Sequence, residues 1–274
     1  MVMIKVIFML FLLSLISCSH YQQSKKVFGV PLRAETPSKV SANIITHKIA
    51  KYEEMNRFAM DPDCMWRPRL SGICQNPYAQ ETKNLEIYAA KLKTETLGNF
   101  DINERGNRDF AGLSQGHLLE SLKNELSEDW LVDFAGDIYF SGGFKPDKSF
   151  TIADPLNESL KFSEVFFTKS GYMIAASSRE LGADMRNPKT KTAWREEFQK
   201  IVLFSDATFD GARLDAWSTA LIAGGKSLLE HLWQRPEFKD HWGYLYFNRQ
   251  GEAVCSPNLN CEITKKPRKV FLPF

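Results

Sequence analysis

Apolar residues along this chain fall into two rhythms, and the switches between them mark out the elements. Ile44, Ile45, Ile49 and Met55 recur at helical intervals, which predicts a helix over residues 41–58. Leu85, Tyr88, Ala89 and Leu92 predict a second helix, stopped by Gly98 as a glycine just past the C-terminus. Leu118, Leu119 and Leu122 predict a third after Gly116. Strand-like runs follow at 130–134, 137–140, 150–153, 164–168, 172–176 and 200–204. Helical spacing returns over 211–223 and 226–232, and 242–248 reads as a further strand. A polar, proline-containing stretch from about Ser24 leads into a first strand near 27–34. No long linker divides these segments, so the expectation is one α+β unit with helices packed on mixed β-sheets.

The N-terminus breaks the pattern. Lys5 precedes an apolar run from Val6 to Leu13, too short to span a bilayer and suited to the core of a signal peptide. Leu15-Ile16-Ser17-Cys18 looks like a bacterial lipobox, in which Cys18 is acylated and becomes the mature N-terminus. An ordinary secretory signal containing a cysteine is the plainer alternative. The expected division is a signal peptide over 1–17, a lipidated tether over 18–26 and one domain over 27–274. Several acyl chains give stable attachment to a membrane. Ser19 is not an aspartate-type retention signal, which favours the outer over the inner membrane, with the domain facing the periplasm.

Cysteine usage fits an oxidising compartment. Four cysteines remain after Cys18, and the short separations favour pairing Cys64 with Cys74 and Cys255 with Cys261 among the three possible connectivities. Zinc is the rival reading, but neither pair has Cys-x₂₋₄-Cys spacing. Composition changes little: 43% hydrophobic and 25% charged residues describe a globular domain with one sizeable core. The net charge of +2 falls by one when Lys5 leaves with the signal, which gives no reason to expect a nucleic-acid partner. The basic tail around Lys265–Lys269 reads as a solvated terminus.

The candidate chemistry sits in Leu214-Asp215-Ala216-Trp217-Ser218-Thr219-Ala220-Leu221. On a helix, Asp215 and Thr219 share a face and aim two oxygens at one point. A carboxylate with a hydroxyl is a hard donor set suited to Mg²⁺. Taken alone, such a pair is far more often a solvated helix face or a helix cap.

Other segments add weight by resemblance. Asp109-Phe110-Ala111-Gly112-Leu113-Ser114-Gln115-Gly116 resembles the Asp-Leu-Gly-Gly-Ile-Ala-Lys-Gly segment of the FAD:protein FMN transferases, the ApbE family of thiamine-biosynthesis lipoproteins. Asp133-Phe134-Ala135-Gly136-Asp137-Ile138 resembles the Asn-Leu-Gly-Gly-Asp-Ile strand that follows it there. Leu214–Leu221 with Gly224 resembles the family's Ala-Asp-Ala-Leu-Ser-Thr-Ala-Leu helix and its glycine. Weaker matches, in the same order, are Phe28-Gly29, Met60-Asp61-Pro62-Asp63, Asn99-Phe100-Asp101 and Asn187-Pro188-Lys189-Thr190.

The resemblance implies a Mg²⁺-dependent envelope enzyme that splits FAD and attaches FMN to a Thr or Ser hydroxyl of a partner flavoprotein, releasing AMP. It implies a cation held by Asp215, Thr219 and the backbone carbonyl of Gly112. Asp215 is also the nearest candidate for the proton of the acceptor hydroxyl. Flavin and adenine contacts would come from Phe28, Met60, Asn99, Phe100, Asp101, Asp109, Gln115 and Arg186. A noncatalytic flavin-binding or FAD-hydrolysing lipoprotein is the alternative. The departures bear on substrate affinity more than on fold. Gln115 stands where the family commonly has Lys, Asp184 where it has His and Lys191 where it has Gly. Ala111 and Ala135 each replace a glycine, and the stretch from Asp101 to Asp109 is shorter than usual. His47 reads as solvated, His117 as packing, and Ser177-Ser178 as a strand-end loop contacting flavin. Trp217 reads as a wall beside the metal ligands.

Overall fold

A computed structural model describes residues 21–27, 30–60, 76–103, 110–127, 129–134, 137–141, 149–154, 157–166, 172–178, 197–206, 210–248, 250 and 252–263. The first described elements are a hairpin, β1 (Tyr21–Val27) and β2 (Val30–Thr36), followed by the helices α1 (Lys39–Met60), α2 (Ala79–Glu95) and α3 (Ala111–Glu125). Five strands come next: β3 (Leu131–Phe134), β4 (Asp137–Phe140), β5 (Ser149–Asp154), β6 (Asn157–Phe166) and β7 (Tyr172–Ser178). After β8 (Phe198–Asp206) come α4 (Gly211–Trp233) and the short α5 (Pro236–His241), and then β9 (Trp242–Asn248), β10 (Ala253–Cys255) and β11 (Asn260–Ile263).

The strands form an eight-stranded sheet in the order β1-β2-β3-β4-β7-β8-β9-β10 and a three-stranded sheet β11-β6-β5. Every described ladder is antiparallel. Helices and sheets in one unit give the α+β class read from the sequence. The central strand β8 shows how the layers are built. Ile201 and Leu203 face the helical core, while Val202 and Phe204 join a second cluster with Leu131, Phe140, Ile174, Leu245 and Phe247. Alternation in a strand sends successive side chains to opposite faces, so a run buried throughout marks a strand covered on both sides. Ile152 of β5 packs into that second cluster, placing the small sheet against the face away from the helices.

Several boundaries differ from the sequence reading. The single strand expected over 27–34 is the hairpin β1–β2, with Tyr21 paired to Thr36 and Val27 to Val30. Residues 21–26, expected as tether, thus form an edge strand. Their polar character conceals it, since an edge strand carries Gln and Lys without penalty. The third helix starts six residues earlier than expected, at Ala111, so Gly112, Gln115 and Gly116 are all helical. The division expected between 211–223 and 226–232 is present: the two helices meet end to end within α4 at Gly225, whose φ of 66° and ψ of −157° only glycine adopts readily.

Two helices position the site. Asp210 caps α4, its Oδ1 accepting from the N–H groups of Ala212 at 2.9 Å and Arg213 at 3.2 Å. Gly116 of α3 lies against the first turn of α4 so closely that a Cβ there would sit 2.1 Å from the nitrogen of Ala212. That backbone approach fixes α3 against α4 and sets Gly112, one turn earlier, beside Asp215.

Candidate metal and flavin site

Asp215 and Thr219 project from the face of α4 that meets α3 and β7. A Cβ at Gly112 would fall 2.1 Å from Asp215 Oδ2 and 2.9 Å from its carboxyl carbon. The carboxylate occupies the space a side chain would need, which is a physical reason for glycine at position 112. All three residues read as cation ligands are therefore gathered here, Gly112 directly on Asp215 and Thr219 one helical turn further along.

The structure adds residues not read as cation ligands to this place. Asp137, at the start of β4, accepts a hydrogen bond from the Ala176 N–H at 3.2 Å. Burial holds the Asp137 carboxyl well above the usual carboxylate range, and the negative charges of Asp215 and, less, Asp133 push it the same way. Ser177 Oγ of β7 lies 2.7 Å from Ser218 Oγ and 3.3 Å from Thr219 Oγ1. Ser218 also donates to the Asp215 carbonyl at 2.9 Å. Ser218 had a local signal, a serine hydroxyl three residues after an acceptor carbonyl on a helix. Asp137 fell within the Asp133–Ile138 motif match without a role, and Ser177, read as part of a strand-end loop contacting flavin, lies inside β7; only the pairing of β4 with β7 and of β7 with β8 brings them to α4.

A buried carboxyl whose proton affinity is raised by a second carboxylate is relieved by a proton or by a cation. A donor set of carboxylate, hydroxyl and backbone carbonyl oxygens suits Mg²⁺, so the residues present fit that ion. Among the described residues, no group of three or more His, Cys, Asp or Glu side chains is arranged to hold a metal. The candidate centre thus depends on neutral oxygens as well as on a carboxylate.

The residues read as flavin contacts are spread more widely. Asn99 is buried; its Nδ2 donates to the Thr96 carbonyl at 2.9 Å, and its side chain lies against Gly224 of α4. Nine residues of helix from Asp215 to Gly224 span about 13 Å. Phe100 belongs to the helical core, 8% exposed. Asp101 accepts from Lys93 Nζ at 2.6 Å and from the Asn103 N–H at 3.0 Å. Burial pushes the Asp101 carboxyl up, but these two donors outweigh it and leave it below the ordinary 3.8. It borders a cavity of about 310 Å³ lined also by Glu86, Ala89, Lys93 and Ile102. Gln115 is buried in α3, and Met60 closes α1. Phe28, Asp109, Arg186, Cys18, Cys64 and Cys74 lie outside the described residues, as do Asp184, Lys191 and Ala135. Cys255 and Cys261 are joined in a disulfide with their Cα atoms 6.4 Å apart.

Trp217 points away from the site. It is fully buried on the other face of α4, donating from Nε1 to Glu95 Oε1 at 2.7 Å. His117 packs edge-on against Tyr88, with ring centroids 5.3 Å apart. Among the described residues, no helix is long and apolar enough to cross a membrane.

No protein-family model and no curated protein matches this chain. Solved structures do. The ApbE protein of Thermotoga maritima is 15% identical with a TM-score of 0.65, covering 87% of this chain and 97% of that one. The flavin transferase ApbE of Vibrio cholerae is 13% identical with a TM-score of 0.63, again over 87% and 97%. The flavinyl transferase ApbE of Pseudomonas stutzeri, in its apo form, is 15% identical with a TM-score of 0.60, over 87% and 94%. Motifs and backbone lead to the same place: this chain has the fold of the ApbE flavin transferases.

Proposed function

We propose that this chain is a Mg²⁺-dependent transferase that moves FMN from FAD to a Thr or Ser hydroxyl of a partner flavoprotein and releases AMP. The observation that carries this reading is the contact of Gly112 with Asp215, one turn from Thr219, within a fold shared with flavin transferases. Asp215, Thr219 and the Gly112 carbonyl would hold the cation. When bound there, Mg²⁺ supplies neutralisation of charge on phosphoryl oxygens.

The chain's own residues do the rest by position. The acceptor hydroxyl oxygen forms a bond to the phosphorus of the FMN half, the pyrophosphate P–O bond to the AMP half breaks, and AMP leaves. The hydroxyl proton goes to a carboxylate of this site, Asp215 or Asp137. FAD is the substrate, with the Asn99–Asp101 segment and Gln115 on the elements that would border it. The proposal includes attachment to the bacterial envelope through acylated Cys18, with the domain facing the periplasm.

The test is product analysis with FAD, Mg²⁺ and an FMN-accepting domain. Flavin fluorescence that stays on the acceptor in a denaturing gel, with AMP in equal amount, is the expected result. AMP with an unlabelled acceptor would favour FAD hydrolysis. Bound FAD with no product would leave a flavin-binding protein and overturn the enzymatic reading.

A further inference from the structure

The hydroxyls behind Thr219 form a chain with one possible direction. Ser177 Oγ meets Ser218 Oγ at 2.7 Å and Thr219 Oγ1 at 3.3 Å, and Ser218 Oγ meets the Asp215 carbonyl at 2.9 Å. Each hydroxyl has one proton to give, and the carbonyl can only accept. All three contacts are made together in a single arrangement. Ser218 donates to the Asp215 carbonyl, Ser177 donates to Ser218, and Thr219 donates to Ser177. The terminal link is the best protected, since Ser218 is fully buried and water cannot replace a bond lost there.

The consequence falls on Thr219. With its only proton turned toward Ser177, its Oγ1 has only lone pairs left to offer a cation. A cation takes lone pairs and repels an O–H pointed at it. We propose that Ser177 is a positioning residue for the cation site: as the acceptor of the Thr219 proton, it fixes the Thr219 hydroxyl as a ready-made metal ligand. The contact links β7 to α4 across 42 positions of sequence, so the sheet sets the orientation of a ligand carried by a helix. Outer partners of this kind orient ligands before the metal arrives. This inference rests on reading Asp215 and Thr219 as cation ligands.

The test is Mn²⁺ binding to the full chain by electron paramagnetic resonance, for the parent, Ser177→Ala, Ser177→Thr and Asp215→Ala, with metal-free thermal unfolding alongside. Ser177→Ala is expected to weaken Mn²⁺ binding about 10-fold or more, the usual cost of losing an outer partner. Ser177→Thr, which keeps the hydroxyl, should restore most of the affinity. Metal-free unfolding should stay close to that of the parent in both variants. If Ser177→Ala binds Mn²⁺ like the parent while Asp215→Ala does not, this inference falls and the cation site stands. Equal weakening by Ser177→Ala and Ser177→Thr would mark a packing role and also overturn it. A parent chain that binds no Mn²⁺ would overturn both readings together.

Discussion

The two faces of α4 are built on opposite rules. On one, Glu95 of α2 accepts from Arg213 Nε and Trp217 Nε1, each at 2.7 Å, with an Arg235 nitrogen 3.9 Å away. The Arg213 and Arg235 guanidinium groups both lie over the Phe238 ring, 4.6 and 4.7 Å from its centroid. Opposite charges meet, and an indole donor finds an acceptor. On the other face Asp215 sits against Gly112 and drives up the proton affinity of a second carboxylate, Asp137. One arrangement serves folding. The other sets like charges together, which burial makes unfavourable unless something positive is bound. The same helix therefore keeps stability on one side and leaves the other for chemistry.

The largest expected effect breaks the second face. Asp215→Ala should lower FMN transfer at least about 100-fold, beyond what loss of an outer partner costs. Metal-free stability should hold or rise, since Asp137 loses its like-charged neighbour. Labelled acceptor in a gel and a thermal melt read the two quantities. Glu95→Ala should do the reverse. Leaving Arg213 and the buried Trp217 N–H without their acceptor is expected to cost about 3 kcal/mol in urea unfolding. Metal affinity per folded molecule should not change.

A pH series sharpens the contrast. The Asp137 carboxyl binds its proton more tightly in the folded chain than at the ordinary 3.8. Its contribution to metal-free stability is therefore full below that value and is lost as pH rises through the folded one. Asp137→Asn keeps the oxygen that accepts from Ala176 and removes the charge. At pH 7 it should stabilise the metal-free chain, and urea midpoints of parent and variant should converge toward pH 4. The smallest effect lies off both faces. Leu97, two residues past the end of α2, has φ 55°, a left-handed conformation, with its side chain exposed. Leu97→Gly should gain up to about 1 kcal/mol by relieving it and leave Mn²⁺ affinity untouched.

Legibility in the sequence followed distance along the chain. Asp215 and Thr219 are four apart, so helical spacing alone placed them on one face. Gly112 came from motif resemblance, and its reason, the room taken by Asp215, emerged only when Gly116 was seen to set α3 against Ala212. The strands β4 and β9 were readable to the residue because their apolar runs end in clear breaks. The edge strand β1 was not, because polar residues at a sheet edge look like a linker. The helix stop at Gly98 was visible, but the left-handed turn begins one residue earlier, at Leu97, where propensity argues against it. Asp137 was visible only as part of a motif match and Ser177 only as a loop residue, because both reach α4 through strand pairing, for which no local pattern exists.

The central claim is that a divalent cation sits on the Asp215 face of α4. Anomalous scattering from crystals soaked in Mn²⁺ locates the ion without reference to activity. The expected result is one dominant peak in contact with Asp215, Thr219 and the Gly112 carbonyl, absent in Asp215→Ala. A peak elsewhere, such as the cavity beside Asp101, with none at Asp215, would contradict it.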